Sequence, residues 1–213
     1  MNKKYKWGIA IVTLTLLGIL GYSTYQPQST SCHTELTIPS EHTGSQYKVV
    51  NANFKIPNKI LTNNLGEPIA FQQLIDQDKP VFVQFIFTSC PTICPVLSSH
   101  FAALQAEAIK ADIPIQMVSI SIDPEYDSPQ RLQAYSEKFE AKPFWTFLTG
   151  TKENIIDLQV AFDNYVGNKM YHQPRTYLKI PGHTSWKTMD GFISGQELWE
   201  EYHQRLDQYS MNK

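Results

Sequence analysis

The chain has 213 residues, 42% of them hydrophobic, which is enough for one globular domain with extra segments. Eighteen basic residues against twenty acidic ones leave a net charge of −2, so there is no basic footprint and nucleic acid is excluded as an expected partner. Three cysteines are too few for a disulfide scaffold, and two of them share one short motif, which points to metal or redox chemistry.

Lys3, Lys4 and Lys6 precede a stretch without formal charge, residues 7–31, whose apolar heart is 7–22. That length suits a membrane-spanning helix or a signal peptide. Gly21 and Ser23 offer a weak cleavage site, and Ser29, Thr30 and Ser31 ahead of Cys32 lack the leucine-type residue that precedes a lipid-modified cysteine. The reading is an uncleaved anchor over residues 1–25, with a removed signal peptide as the alternative. Basic residues before the span place the amino terminus in the cytoplasm and the domain outside, at the inner (cytoplasmic) membrane facing the periplasm. Residues 26–46, rich in Ser, Thr, Pro and Gln, form a tether. Cys32 and His33 lie in it and read as a stray exposed pair. The remaining residues, 47–213, form the domain.

Residues 47–54 predict a short edge strand. Asn63, Asn64, Leu65 and Gly66 make a turn between 59–61 and 68–71, a hairpin. Residues 81–87, apolar except for Gln84, predict a strand buried on both faces, running into a loop with Cys90 and Cys94. Pro91 and Pro95 end the strand, and Pro95 suits the first residue of a helix. Leu97, Phe101, Leu104 and Ala108 recur at helical spacing over 96–110. Residues 115–122 predict a second core strand, stopped by Asp123 and Pro124. Ser128 can cap a helix starting at Pro129, with Leu132, Tyr135 and Phe139 on its apolar side. A third strand follows at 144–148. Thr151 can cap a helix over 152–164 whose buried side is Ile155, Ile156, Val160 and Phe162. Strands at 176–180 and 185–192 flank the Pro181-Gly182 turn. Ser194 and Glu197 form a capping box for a final helix bearing Leu198, Tyr202, Leu206 and Tyr209. No internal repeat is present. This alternation predicts an α/β fold with a mostly parallel sheet, helices on both faces, a preceding hairpin and a closing antiparallel hairpin.

Cys90 and Cys94 are spaced i, i+4, so both can face one point if the loop curls into a helical turn. A helix amino terminus lowers a thiol pKa. Thiolates there can grip a soft metal ion, exchange with another disulfide, or close a local Cys90–Cys94 bridge. A purely structural bridge gains least, because the loop it closes is very short. Phe144, Trp145, Tyr165 and Trp186 read as core or rim aromatics.

Residues 88–95, Thr-Ser-Cys-Pro-Thr-Ile-Cys-Pro, resemble the T-x-C-P-x-x-C-P signature of the Sco/SenC family. Its members are membrane-anchored, thioredoxin-like proteins that bind copper and help assemble cytochrome c oxidase. Ser121, Asp123, Pro124, Asp127 and Pro129 are similar to the family's S-x-D-P-x-x-D-x-P. His172, six residues before Leu178, stands in a segment resembling the one whose histidine supplies the third copper ligand. The chain departs from the family at Tyr171, where an Asp is usual, and at Pro174 and Arg175, where small residues are usual. The resemblance implies a thioredoxin-like fold and one copper ion, Cu(I) or Cu(II), on Cys90, Cys94 and His172. Two thiolates and an imidazole suit copper, whereas zinc normally takes four ligands. Asp123 is the candidate for orienting a ligand from behind, Asp127 and Ser128 are read as turn and cap residues, and His100 is the fallback for His172. The implied function is a metallochaperone serving the copper-receiving subunit of cytochrome c oxidase, a carrier more than an enzyme. The alternative is a thiol–disulfide oxidoreductase acting on periplasmic partner proteins, with Cys90 attacking and Cys94 resolving. A peroxide-reducing enzyme is weaker, because no arginine accompanies Cys90 in sequence.

Overall fold

The computed structural model describes residues 47–211. The expected anchor and tether, with Cys32 and His33, lie outside the described residues. Among the described residues no helix is long and apolar enough to cross a membrane.

The strands are β1 (Tyr47–Ala52), β2 (Ile60–Asn63), β3 (Pro68–Ala70), β4 (Val81–Ile86), β5 (Gln116–Ser121), β6 (Trp145–Thr149), β7 (Arg175–Lys179) and β8 (Trp186–Gly191). The helices are α1 (Phe71–Ile75), α2 (Ile93–Ala111), α3 (Pro129–Lys138), α4 (Lys152–Ala161) and α5 (Gly195–Met211). All the strands join one sheet in the order β1-β8-β7-β4-β5-β6-β2-β3.

Every residue of β4 is buried, as a continuous apolar run requires of a central strand. Phe82 and Ile86 face one core cluster with Phe101 and Leu104 of α2, Leu132 of α3 and Leu198 of α5. Val81, Val83 and Phe85 face the other, with Phe71 of α1 and Ile155 and Leu158 of α4. Helices therefore cover both faces. Full burial of each such side chain contributes about 2 kcal/mol. Ser128 and Thr151 cap α3 and α4 by accepting from the amides of Arg131 and Asn154, and Ser194 and Glu197 exchange the two bonds of a capping box at α5.

Three expectations are corrected. The buried stripe of α4 is Ile155, Leu158 and Gln159, continued by Phe162. Val160 lies off that i, i+3, i+4, i+7 row and is 59% exposed. Helix α2 begins at Ile93, so Pro95 sits inside the first turn, where its missing N–H costs nothing.

The third correction bears on function: the sheet is mixed, not mostly parallel. Only β4–β5 and β5–β6 are parallel, the two joins made by α2 and α3 as crossover helices. After α4 the chain runs through residues 162–174 before forming β7, which pairs antiparallel with β4 through Gln84 opposite Thr176 and Val81 opposite Lys179. The start of β7 therefore lies at the carboxyl end of β4. A parallel β7 would have put its preceding loop at the other end of the sheet.

A candidate metal and thiol site at the carboxyl end of the sheet

The cysteine loop joins β4 to α2. Its first turn is closed by the Cys90 N–H donating to the Phe87 carbonyl at 3.1 Å. Thr92, the residue before α2, makes no side-chain cap. The Cys94 N–H, one of the free amides of that helix end, instead donates to the Cys90 sulfur at 3.4 Å. A thiol thus stands where a capping oxygen usually does. Burial pushes the Cys90 pKa up, but hydrogen bonds from the Cys94, Thr92 and Ile93 amides and the Cys94 thiol outweigh it, and the net shift is downward. Cys94 is fully buried and accepts from the Phe87 N–H at 3.4 Å. Burial drives its pKa strongly upward, with Cys90 and Asp127 adding to the effect. Both cysteines are free thiols.

Asp127 holds this loop. Its carboxylate is fully buried and accepts from the Thr88 N–H at 3.0 Å, the Thr88 hydroxyl at 2.5 Å and the Ser121 hydroxyl at 2.6 Å. The cysteine loop is thereby fastened to the end of β5. Asp127 is thus more than the turn residue its neighbours imply; the sequence signal for this role is the S-x-D-P-x-x-D run together with a threonine two residues ahead of Cys90. Behind Cys94, the Ser98 hydroxyl shares a hydrogen bond with Tyr135 at 3.1 Å.

His172 ends a 3-10 turn, Lys169–Tyr171, and its N–H donates to the Lys169 carbonyl at 3.1 Å. It stands three residues before β7, and so at the end of the sheet from which the cysteine loop leaves. The side chain is 2% exposed and neither ring nitrogen has a hydrogen-bond partner. Burial, with Arg175 nearby adding to it, lowers its pKa to about 4, so the ring is neutral at physiological pH. Asp123 does not bond this ring. It forms an ion pair with Lys169, while its own N–H donates to Ser121 Oγ at 3.0 Å. His100, the fallback ligand, sits on α2 at the contact with α5, where a Cβ on Gly195 would stand 2.6 Å from the His100 carbonyl oxygen. Of the aromatics, Trp145 and Trp186 are buried core and Tyr165 is exposed.

Among the described residues no three His, Cys, Asp or Glu side chains are gathered into a group that could hold a metal. Cys90 and Cys94 contact each other, and His172 stands apart as a buried imidazole with two unused nitrogens. The donor chemistry nevertheless fits a soft ion: one acidic thiol, a second thiol beside it, and a neutral ring free to ligate.

An α/β thioredoxin-like domain carrying an acidic thiol at a helix start defines a class of cysteine-based carriers and redox proteins. Residues 46–206 match the SCO1/SenC family, and the chain belongs to it. The chain is similar to the SCO1 protein homolog of Bacillus subtilis, 29% identical over 148 residues, 65% of this chain and 75% of that one. The structure of BsSco, described as a member of the Sco family of cytochrome c oxidase assembly proteins with a disulfide switch, aligns at TM-score 0.62 with 24% identity, covering 77% of this chain and 98% of that one. Arabidopsis thaliana ScoI, solved with copper bound, also aligns at 0.62 with 24% identity, over 74% of this chain and 100% of that one.

Proposed function

We propose that this protein is a copper carrier for oxidase assembly, in which Cys90 and Cys94 as thiolates and His172 as third ligand hold one copper ion as cargo. The copper then passes by ligand exchange to the copper-receiving subunit of cytochrome c oxidase. The observation that carries the proposal is His172: a buried, neutral imidazole with no partner on either nitrogen, at the same end of the sheet as the paired thiols. A buried polar ring left wholly unpaired is costly, and ligation of one nitrogen would relieve part of that cost. Two thiols and one imidazole suit either copper oxidation state, the thiols favouring Cu(I). Family membership supports the assignment, and copper in the Arabidopsis relative is consistent with it. The basic and apolar segment at residues 1–25 would tether the domain to the inner membrane on its periplasmic side. Metal analysis after anaerobic reduction and copper loading is the test. Stoichiometric copper surviving gel filtration is expected, and a protein that emerges copper-free loses this reading.

A second reading rests on the opposed thiols. Cys90, shifted toward its thiolate, can attack a partner disulfide to give a mixed disulfide and release one partner thiolate. Cys94, held protonated by burial, would then lose its proton and resolve the adduct, leaving a Cys90–Cys94 disulfide and a reduced partner. A Cys94→Ser variant that accumulates mixed disulfides, in a protein without copper affinity, would favour this over delivery.

A further inference from the structure

We propose that Lys169 is the residue that positions His172, an inference that rests on the reading of His172 as a copper ligand. A ligating imidazole is normally oriented by a partner on its second nitrogen. Here neither nitrogen has one, and the family's usual Asp before the histidine is replaced by Tyr171, which is exposed. Without a hydrogen-bonding partner, the ring is oriented by its packing and by the backbone that carries it.

That backbone is fastened through Lys169. Its carbonyl accepts the His172 N–H at 3.1 Å, closing the turn from which the ring projects. Its ammonium forms an ion pair with Asp123 Oδ2, a carboxylate whose side chain is 11% exposed at the end of β5. The same ammonium stands 5.5 Å from the centroid of the Phe87 ring. Phe87 in turn donates its N–H to the Cys94 sulfur. One side chain therefore ties the turn before His172 to both strands, β4 and β5, whose ends carry the thiol loop. The flanking residues make no such tie: Met170 and Tyr171 are exposed, Asn168 bonds locally to Val166 and Met170, and Pro174 accepts from the Gly191 N–H of β8, away from the strands that carry the thiol loop. An ordinary surface ion pair would contribute little. This one has a buried acidic partner and a ring beneath the ammonium, so its loss frees the turn and leaves Asp123 unpaired.

The test is a double-mutant cycle on the copper affinity of the intact protein, read by competition with a colorimetric Cu(I) chelator. Lys169→Met keeps the apolar stem and removes the charge, and it is expected to weaken copper binding about tenfold. Lys169→Arg should restore most of that loss. Because Lys169 acts through the ring, the double variant Lys169→Met/His172→Ala should match His172→Ala alone within about twofold. In the Cu(II)-loaded protein, nitrogen hyperfine coupling in the electron paramagnetic resonance spectrum should fade in Lys169→Met and return in Lys169→Arg. Asp123→Asn opens the same pair from the other side with almost no change of shape, and should reproduce Lys169→Met if that variant folds poorly. Multiplicative losses in the double variant, or undiminished affinity in Lys169→Met, would overturn the positioning role and leave the copper reading intact. A His172→Ala variant that binds copper like the parent would overturn the third ligand itself, and the inference with it.

Discussion

The cysteine loop and the histidine turn leave the same end of the sheet, but they are secured in different ways. The loop is held from within and from below. Cys90 caps the first turn of α2, Cys94 takes the Phe87 amide, and the buried Asp127 carboxylate clamps Thr88 to Ser121. The histidine turn reaches the strand ends that carry the thiol loop through the Lys169 side chain, its far side is fastened to β8 by the Gly191 N–H donating to the Pro174 carbonyl at 2.9 Å, and next to the buried ring it shows Met170 and Tyr171 at 62% and 68% exposure. A copper carrier of the kind proposed here would need both qualities. The thiols must keep their geometry through loading and unloading, and one ligand must be able to yield when a receiving site competes. The contrast suggests that the thiols retain the ion and the imidazole sets how readily it leaves.

The sharpest way to break this contrast is to remove one proposed ligand from each side. Cys94→Ser is expected to abolish copper retention on gel filtration, because a lone thiolate and an imidazole hold copper weakly. His172→Ala should weaken competition against a chelator by about ten- to a hundredfold while copper still co-elutes. Equal losses would show that the two sides are not unequal partners.

The next effect concerns the clamp. Asp127→Ala leaves the Thr88 amide and two hydroxyls without an acceptor in a closed site, and it should cost about 4 kcal/mol of unfolding free energy by urea denaturation. Asp127→Asn, which keeps the shape and one acceptor, should cost less than half as much. A loss within the range of a surface substitution would mean the loop is held by its helix alone.

The same contrast governs what could be read from the sequence. Most local signals were legible, though the short helix α1 and the first turn of α2 were not. The apolar run of β4, the capping residues Ser128, Thr151 and Ser194, and the i, i+4 spacing of the cysteines each report on a few neighbouring positions, and each is where it was expected. The direction of β7 was not legible. It depends on residues 162–174, which have no periodicity, and it decides which end of the sheet His172 reaches. Asp127 and Lys169 were missed for a related reason. An aspartate between Tyr126 and Ser128 looks like a turn former, and a lysine in a polar loop looks like a solvated charge. Only the fold shows that one is fully buried and the other bridges two strand ends. Val160 failed differently, because a hydrophobic residue next to the true stripe of α4 cannot be told from one on it without the phase of the helix.

A third prediction uses the burial of the imidazole. In the folded, metal-free protein its pKa is depressed from the ordinary 6.5 to about 4. Between those values the unfolded chain binds more protons than the folded one, so stability rises with pH. The contribution is fully present above about pH 6.5, is lost as pH falls through that window, and spans roughly 3 kcal/mol at most. Denaturation midpoints at about pH 4.5 and about pH 7 should differ accordingly, and a His172→Phe variant should flatten that part of the difference. An unchanged slope would show that the ring reaches water, and with it that the histidine side is more open than its burial indicates.

The smallest effect is expected behind the thiols. Tyr135 packs in the core with its hydroxyl on Ser98, one helical turn past Cys94. Tyr135→Phe removes that bond, but the Ser98 hydroxyl can turn back to the carbonyl of Cys94 along the helix, so the cost should be about 1 kcal/mol. Burial, opposed by Ser98 and reinforced by the nearby thiols and Asp127, keeps the phenol protonated. It therefore offers no charge to a metal and no base to Cys94. Copper affinity in Tyr135→Phe should match the parent within about twofold even as the denaturation midpoint falls. A larger loss of affinity than of stability would move Tyr135 out of the scaffold. The secured side of the site would then extend through the first two turns of α2, and the difference between the two sides would be greater than the cysteine loop alone reveals.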